Sequence, residues 1–278
     1  RVSVIAFFNR GFDSMKKSGL CDAFLIPDID PSKINDAYGY SDTVSRWNLV
    51  VCLDEGGAPT IEGGKIASVL KDYMKVGGKV WFTGGGTEIF GYGTPPNTPM
   101  IFKNLVPPSS SLTRFLDYVT TYSSLLGVYR SGCGAYTTTQ PKEYLGTSAE
   151  FVGAEPFDNS EISQLPSLKV DSIKVFNQAP NESLGAPRVA YAGCSYLGEA
   201  TRIYTFISHP DDVNGSAMDG RPCGSVYKGP IGPEGAPFYG GPIYKTAYMS
   251  FPLHFIEEGE NGEKRDSLFK AMLEWFWQ

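Results

Sequence analysis

Two apolar runs, residues 47–53 and 79–83, flank one amphipathic segment, and this arrangement constrains the chain more than any other feature. Both runs are nearly continuous in large apolar side chains, the pattern of strands covered on both faces. The segment between them carries agreeing helix signals. Thr60 stands at the N-cap and Glu62 in the first turn. Ile66, Val69, Leu70, Tyr73 and Met74 share one face, and Gly77-Gly78 closes the helix. Strand, helix, strand reads as a βαβ unit, which implies a parallel sheet with a right-handed crossover. Such sheets hold ligands outside the carboxyl ends of their strands. The acidic turn Asp54-Glu55 and the glycines Gly84, Gly85 and Gly86 fall there. Residues 2–8 read as a further buried strand, which brings Asn9 and Arg10 to the same edge.

Further along, residues 91–110 read as a Pro/Gly-rich loop. Residues 109–111 cap a helix carrying Leu112, Phe115, Leu116, Val119, Tyr122 and Leu126. Residues 127–190 are mixed, with short strands near 150–152 and 173–176. Strands follow at 186–192 and 202–208, then a long polar loop at 209–242 and a strand at 245–251. The chain closes on a helix bearing Leu268, Phe269, Met272, Leu273 and Phe276. The expected architecture is a single α/β domain over 1–278, a mostly parallel sheet flanked by helices. Irregular insertions interrupt it at about 91–110, 127–190 and 209–242.

Composition narrows the function classes. Hydrophobic residues make up 41% and charged ones 19%, enough for a core and too little charge for a disordered tail. The net charge of −6 and a pI of 5.1 argue against a nucleic-acid partner. No apolar run reaches the roughly 18–20 residues of a membrane-spanning helix. The low charge and the wealth of Tyr, Ser, Thr, Gly and Asn fit an extracellular or cell-surface chain. The start at Arg1, directly on an apolar run, fits a mature product or a piece of something longer. Asn181-Glu-Ser and Asn214-Gly-Ser match the glycosylation acceptor pattern.

Five cysteines make no C-x-x-C pair. Cys52 reads as a core residue, while Cys133, Cys194 and Cys223 sit in loop-like or Gly-adjacent settings where pairing is open.

Residues 47–85, with Tyr248-Met-Ser-Phe-Pro-Leu253 and the Arg265-to-Trp277 helix, resemble the class I glutamine amidotransferase-like fold. They look most like its non-catalytic versions in large secreted or surface bacterial proteins. Phe115-Leu116-Asp117-Tyr118 with Gly127-Val128, Phe151-Val-Gly and Leu168-Lys-Val-Asp171 also look like segments of that family. The resemblance implies a flavodoxin-like core. Enzymatic members use a Cys on a strand-to-helix elbow with a downstream His-x-Glu. Here the elbow position falls at about Gly85, which carries no nucleophile, so the resemblance implies a protein without that catalysis.

Other chemistry rests on few residues. His209 precedes Pro210-Asp211, a pattern in which Asp211 would orient the ring as a base. His254 is a second candidate base; the plainer alternatives are a strand-end histidine in a loop for His209 and a surface-edge histidine packing on Phe255 for His254. Asp211, Asp212, Asn214 and Asp219 offer oxygen ligands for Ca²⁺, the one metal the sequence suggests. They lack the full order of a calcium loop. Loop aromatics such as Tyr38, Tyr92 and Tyr239 suit stacking on sugars. The leading expectation is a non-catalytic structural or interaction module without a resident cofactor, partnered by other domains of a parent chain or by a surface ligand. The alternatives are a hydrolase of amidase or esterase type using His209 or His254, and a Ca²⁺- or glycan-binding module.

Overall fold

The computed structural model describes residues 4–24, 44–53, 69–70, 72–83, 103–104, 121–123, 128–132, 150–158, 160–174, 191–192, 201–208, 220, 222–229, 242–249, 251 and 253–278. Among these residues eleven strands run in chain order: β1 (Val50–Leu53), β2 (Lys79–Thr83), β3 (Lys103–Asn104), β4 (Thr121–Ser123), β5 (Val128–Gly132), β6 (Glu150–Pro156), β7 (Leu168–Lys174), β8 (Tyr191–Ala192), β9 (Thr201–Ser208), β10 (Pro222–Gly229) and β11 (Tyr244–Met249). Helix α1 spans Val4–Lys17 and helix α2 spans Glu263–Trp277.

Seven strands form the main sheet in the order β1-β2-β11-β10-β9-β6-β7. The pairs β1·β2 and β2·β11 are parallel. The pairs β11·β10, β10·β9, β9·β6 and β6·β7 are antiparallel. The sheet is mixed, mostly antiparallel, and curled into a half-barrel. A second sheet, β3-β4-β5-β8, is antiparallel throughout. This corrects the expected mostly parallel α/β sheet flanked by helices. It also removes the flavodoxin-like core and the glutamine amidotransferase-like assignment that rested on it. The parallel pair β1·β2 is the one the sequence implies. The parallel geometry extends to β11 alone, because β10, β9, β6 and β7 pair antiparallel.

Three segments depart from their expected class. Residues 2–8 were read as a strand, yet α1 starts at Val4. A short apolar run does not distinguish strand from helix by periodicity. The residues beyond it decide, because Phe7, Phe8, Gly11 and Met15 fall on one helical face and are buried. Residues 121–123, placed in a helix by the spacing of Tyr122 and Leu126, form β4. The run Thr-Thr-Tyr-Ser favours strand once pairing partners exist on both sides. The loop expected over 209–242 contains β10, whose alternation is masked by Pro222, Gly224 and Gly229. An irregularity in its pairing with β9 falls at 222–225.

Other readings hold. β2 spans the residues expected, 79–83. Residues 69–70 and 72–75 are helical, and the helix closes at Gly77-Gly78. Gly78 N–H donates to Tyr73 O at 3.0 Å and Gly77 N–H to Met74 O at 2.9 Å, with Gly77 at φ 89°. That is a Schellman closure, in which the left-handed residue strongly favours glycine.

The centre of the main sheet is covered on both faces. On one face α1 and α2 pack over it, and Trp81, Ala247 and Met249 join Phe7, Phe8, Phe269 and Met272. Phe269 is the hub. Its ring centroid lies 5.2 Å from Phe12, 5.4 Å from Phe8, 5.5 Å from Trp81 and 5.8 Å from Phe7. On the opposite face Val80, Phe82, Tyr227, Tyr244 and Tyr248 pack with Leu70 and Met74. Successive residues of β2 thus serve opposite layers, which is why the run is apolar without alternation.

Candidate functional site

Three groups of described polar side chains are the candidates. The first joins α1 to the start of α2. A tight turn containing Asn261 at φ 55° precedes α2, and Lys264 N–H reaches back to Glu258 O at 2.8 Å. This holds the Glu258 carboxylate beside the first helical turn. Glu258 pairs there with both Arg10 and Arg265. Arg265 also donates to Asp266 at 2.8 Å, and Ser14 Oγ donates to the other oxygen of Asp266 at 2.6 Å. Arg265 is only 6% exposed, and these carboxylates compensate its buried charge. Two cations and two anions make the cluster neutral, and its atoms are committed to one another. Glu263 and Asp266 in the first turn also suit the positive end of the helix.

The second cluster lies at the other end of α2. That helix has no basic residue in its last turn, so the strands supply the cation. Lys245 of β11 donates to Trp275 O at 2.7 Å and approaches Phe276 O at 3.4 Å. Burial lowers its pKa, Lys228 and Lys79 lower it further by repulsion, and Glu161 opposes them. Lys228 pairs with Glu161. Lys79 Nζ stands 4.5 Å above the ring of Trp277, and its pKa is also lowered by burial. Trp277 Nε1 donates to Leu20 O at 2.9 Å, which ties this end of α2 to the residues after α1.

The third group lines the sheet face opposite the helices. Ser225 stands across from Tyr248, and Tyr227 across from Thr246. The rings of Tyr227 and Tyr244 meet edge-on at 5.9 Å. Burial pushes the Tyr244 phenol far up, helped by Tyr227; on the face toward α1 and α2, burial pushes the Cys223 thiol well up. Both groups are therefore neutral at ordinary pH. Cys223 is a buried strand residue carried as a thiol, not a loop residue poised for pairing; Cys52 is buried as expected.

The structure places only some of the residues singled out from sequence. Asn9 and Arg10 sit on α1, not at the end of a strand, and Arg10 belongs to the Glu258 cluster. His254 lies in a short 3-10 turn, Leu253–Phe255, with its ring 4.4 Å from that of Phe255. Asp54, Glu55, Gly84, Gly85, Gly86, His209, Asp211, Asp212, Asn214 and Asp219 lie outside the described residues, as do Cys133, Cys194, Asn181 and the aromatics Tyr38, Tyr92 and Tyr239. Among the described residues no group of three His, Cys, Asp or Glu is placed to hold a metal ion. Likewise, none of their helices is long and apolar enough to cross a membrane.

Sequence reasoning missed the Arg265 and Lys245 clusters. Arg265 lies one residue before Asp266, close to the glycine turn at 259–262, a local signal that was available. Lys245 in an otherwise apolar strand was a signal too, since a lysine there must find an acceptor.

No family model matches the chain, and no curated protein does. Among solved structures, the chain aligns with one described as the mmIFT52 N-terminal domain, at 12% identity and a TM-score of 0.35, over 86% of this chain and 80% of that one.

Proposed function

We propose that this chain is a non-catalytic structural or interaction module of a larger protein. One observation carries the reading: the cations that the fold buries serve as ties between elements. Arg265 is spent on Glu258 and Asp266. Lys245 is spent on the last carbonyls of α2. A catalytic cation would instead present its donors where substrate charge develops. Extracellular or cell-surface placement rests on composition alone, the low charge and the wealth of small polar residues.

The test is an assay of the intact protein against p-nitrophenyl acetate and simple amides, beside His209→Ala and His254→Ala. The expected result is a rate equal for all three proteins and no faster than buffer. Turnover that disappears with either histidine establishes a hydrolase and overturns the proposal. Heat on titration with Ca²⁺, lost in Asp211→Asn with Asp212→Asn, would replace it with a calcium-binding role.

A further inference from the structure

Large apolar side chains left in water mark contact surfaces when they gather. Among the described residues the large exposed hydrophobics are Ile5, Val76, Ile243 and Trp277, at 44%, 73%, 59% and 37% exposure. Val76 and Ile243 lie side by side at one end of the main sheet, and Trp277 reaches the same end through Lys79. Val76 precedes Gly77, and a Cβ on Gly77 would stand 3.2 Å from Pro242 Cβ and 3.5 Å from Ile243 O. The turns leading into β2 and β11 are therefore side by side, which continues the register Lys79↔Lys245. Trp277 closes the group through its ring beneath the Lys79 ammonium.

The charge at this patch is unlike that of the whole. The chain carries a net charge of −6. At this end, Lys79 and Lys245 stand together, and Lys228 is neutralised by Glu161. Lys245 is turned inward onto α2. No carboxylate among the described residues pairs with Lys79, and burial disfavours its charge. A half-buried ammonium over a tryptophan, set among exposed aliphatic side chains, is complementary to a carboxylate flanked by apolar groups.

We propose that the surface formed by Val76, Lys79, Ile243 and Trp277 docks an acidic segment of a partner protein. A carboxylate of that segment meets Lys79, and a neighbouring aromatic or aliphatic side chain covers Val76 and Ile243. The proposal rests on the interaction-module reading and gives it a place and a partner chemistry.

The test pans a phage-displayed library of random dodecapeptides on the intact protein. The expected enrichment is for Asp or Glu beside Trp, Phe or Leu. The best peptide, made synthetically, is expected to bind about tenfold more weakly to Val76→Asp and to Ile243→Asp, roughly 1.4 kcal/mol. Both positions are exposed, so the variants are expected to melt like the parent, which a thermal scan verifies. Lys79→Met is expected to retain the apolar preference and lose the acidic one. Failure to enrich, enrichment of basic or uncharged peptides, or binding indifferent to these variants overturns the proposal. So does a homodimer in sedimentation that Ile243→Asp converts to monomer, since the patch would then be covered by a second copy. Acidic peptides that ignore the variants would leave an interaction role standing and move it off this surface. Turnover in the hydrolase assay is what removes the interaction role itself.

Discussion

Gly11 of α1 lies directly against the ring of Phe269 of α2, and a Cβ at position 11 would stand 2.5 Å from the nearest ring carbon. The helices meet at this spacing because the residue has no side chain. Gly11→Ala is therefore expected to destabilise the protein by about 1–3 kcal/mol, the range for overpacking a filled core, despite alanine's better helix propensity. Chemical denaturation of the two proteins measures it. An equal or higher midpoint for the alanine variant would mean that α1 and α2 do not meet at this distance.

The two arginines on Glu258 are expected to behave differently. Arg265 is buried, and its loss strands Glu258 and Asp266 beside each other, so Arg265→Met is expected to cost about 2–4 kcal/mol. The Arg10 side chain is 43% exposed, so Arg10→Met is expected to cost less than about 1 kcal/mol. Equal losses would show that the pairs are equally screened.

Alkaline pH should weaken the fold. Burial raises the pKa of Cys223, Tyr204 and Tyr244, so the folded chain keeps protons that the unfolded chain releases near the ordinary values of 9.0 and 10.0. With more protons bound in the folded state, stability falls as pH rises above about 9. Lys245 and Lys79 act with the opposite sign, because their lowered pKa values release protons from the folded chain first, below 10.5. The acids dominate, being more deeply buried. Unfolding free energies at pH 8 and pH 10 are expected to show a net decline, and Cys223→Ala a shallower one. A flat profile would mean that these groups are open to water.

The same burial predicts chemical protection. Iodoacetamide on the native protein should leave Cys223 unmodified until denaturant is added, whereas Cys21, which is half-exposed, should react earlier. Peptide mass mapping over a time course reads both positions. Early labelling of Cys223 would contradict its place inside the sheet.

What the sequence disclosed depended on how local the deciding physics was. The run at 79–83 and the glycines at 77–78 carry their own signals, and both were legible. The partner of each strand is not local. Nothing between Ala186 and Ser208 states that β9 pairs antiparallel with β10 and β6, because hydrogen bonds of either ladder use the same backbone. Residues 2–8 were misread for a related reason. Val-Ile-Ala-Phe-Phe suits a strand until Gly11 and Met15 are seen to continue a helical face onto Phe269. The candidate clusters were harder still. Arg10 and Glu258 lie 248 residues apart, and Lys245 finds its acceptors on a helix that begins after a turn.

The last of the described strands is not at the edge of the main sheet; β11 stands between β2 and β10. While the chain is being synthesised, β2 and β10 therefore wait with unsatisfied edges until residues 244–249 have left the ribosome. The main sheet is completed only once residues 244–249 have emerged, and α1, made well before them, gains its cover of α2 later still. A ribosome stalled before residue 244 would hold two incomplete half-sheets, a form exposed to chaperones and to wrong pairing.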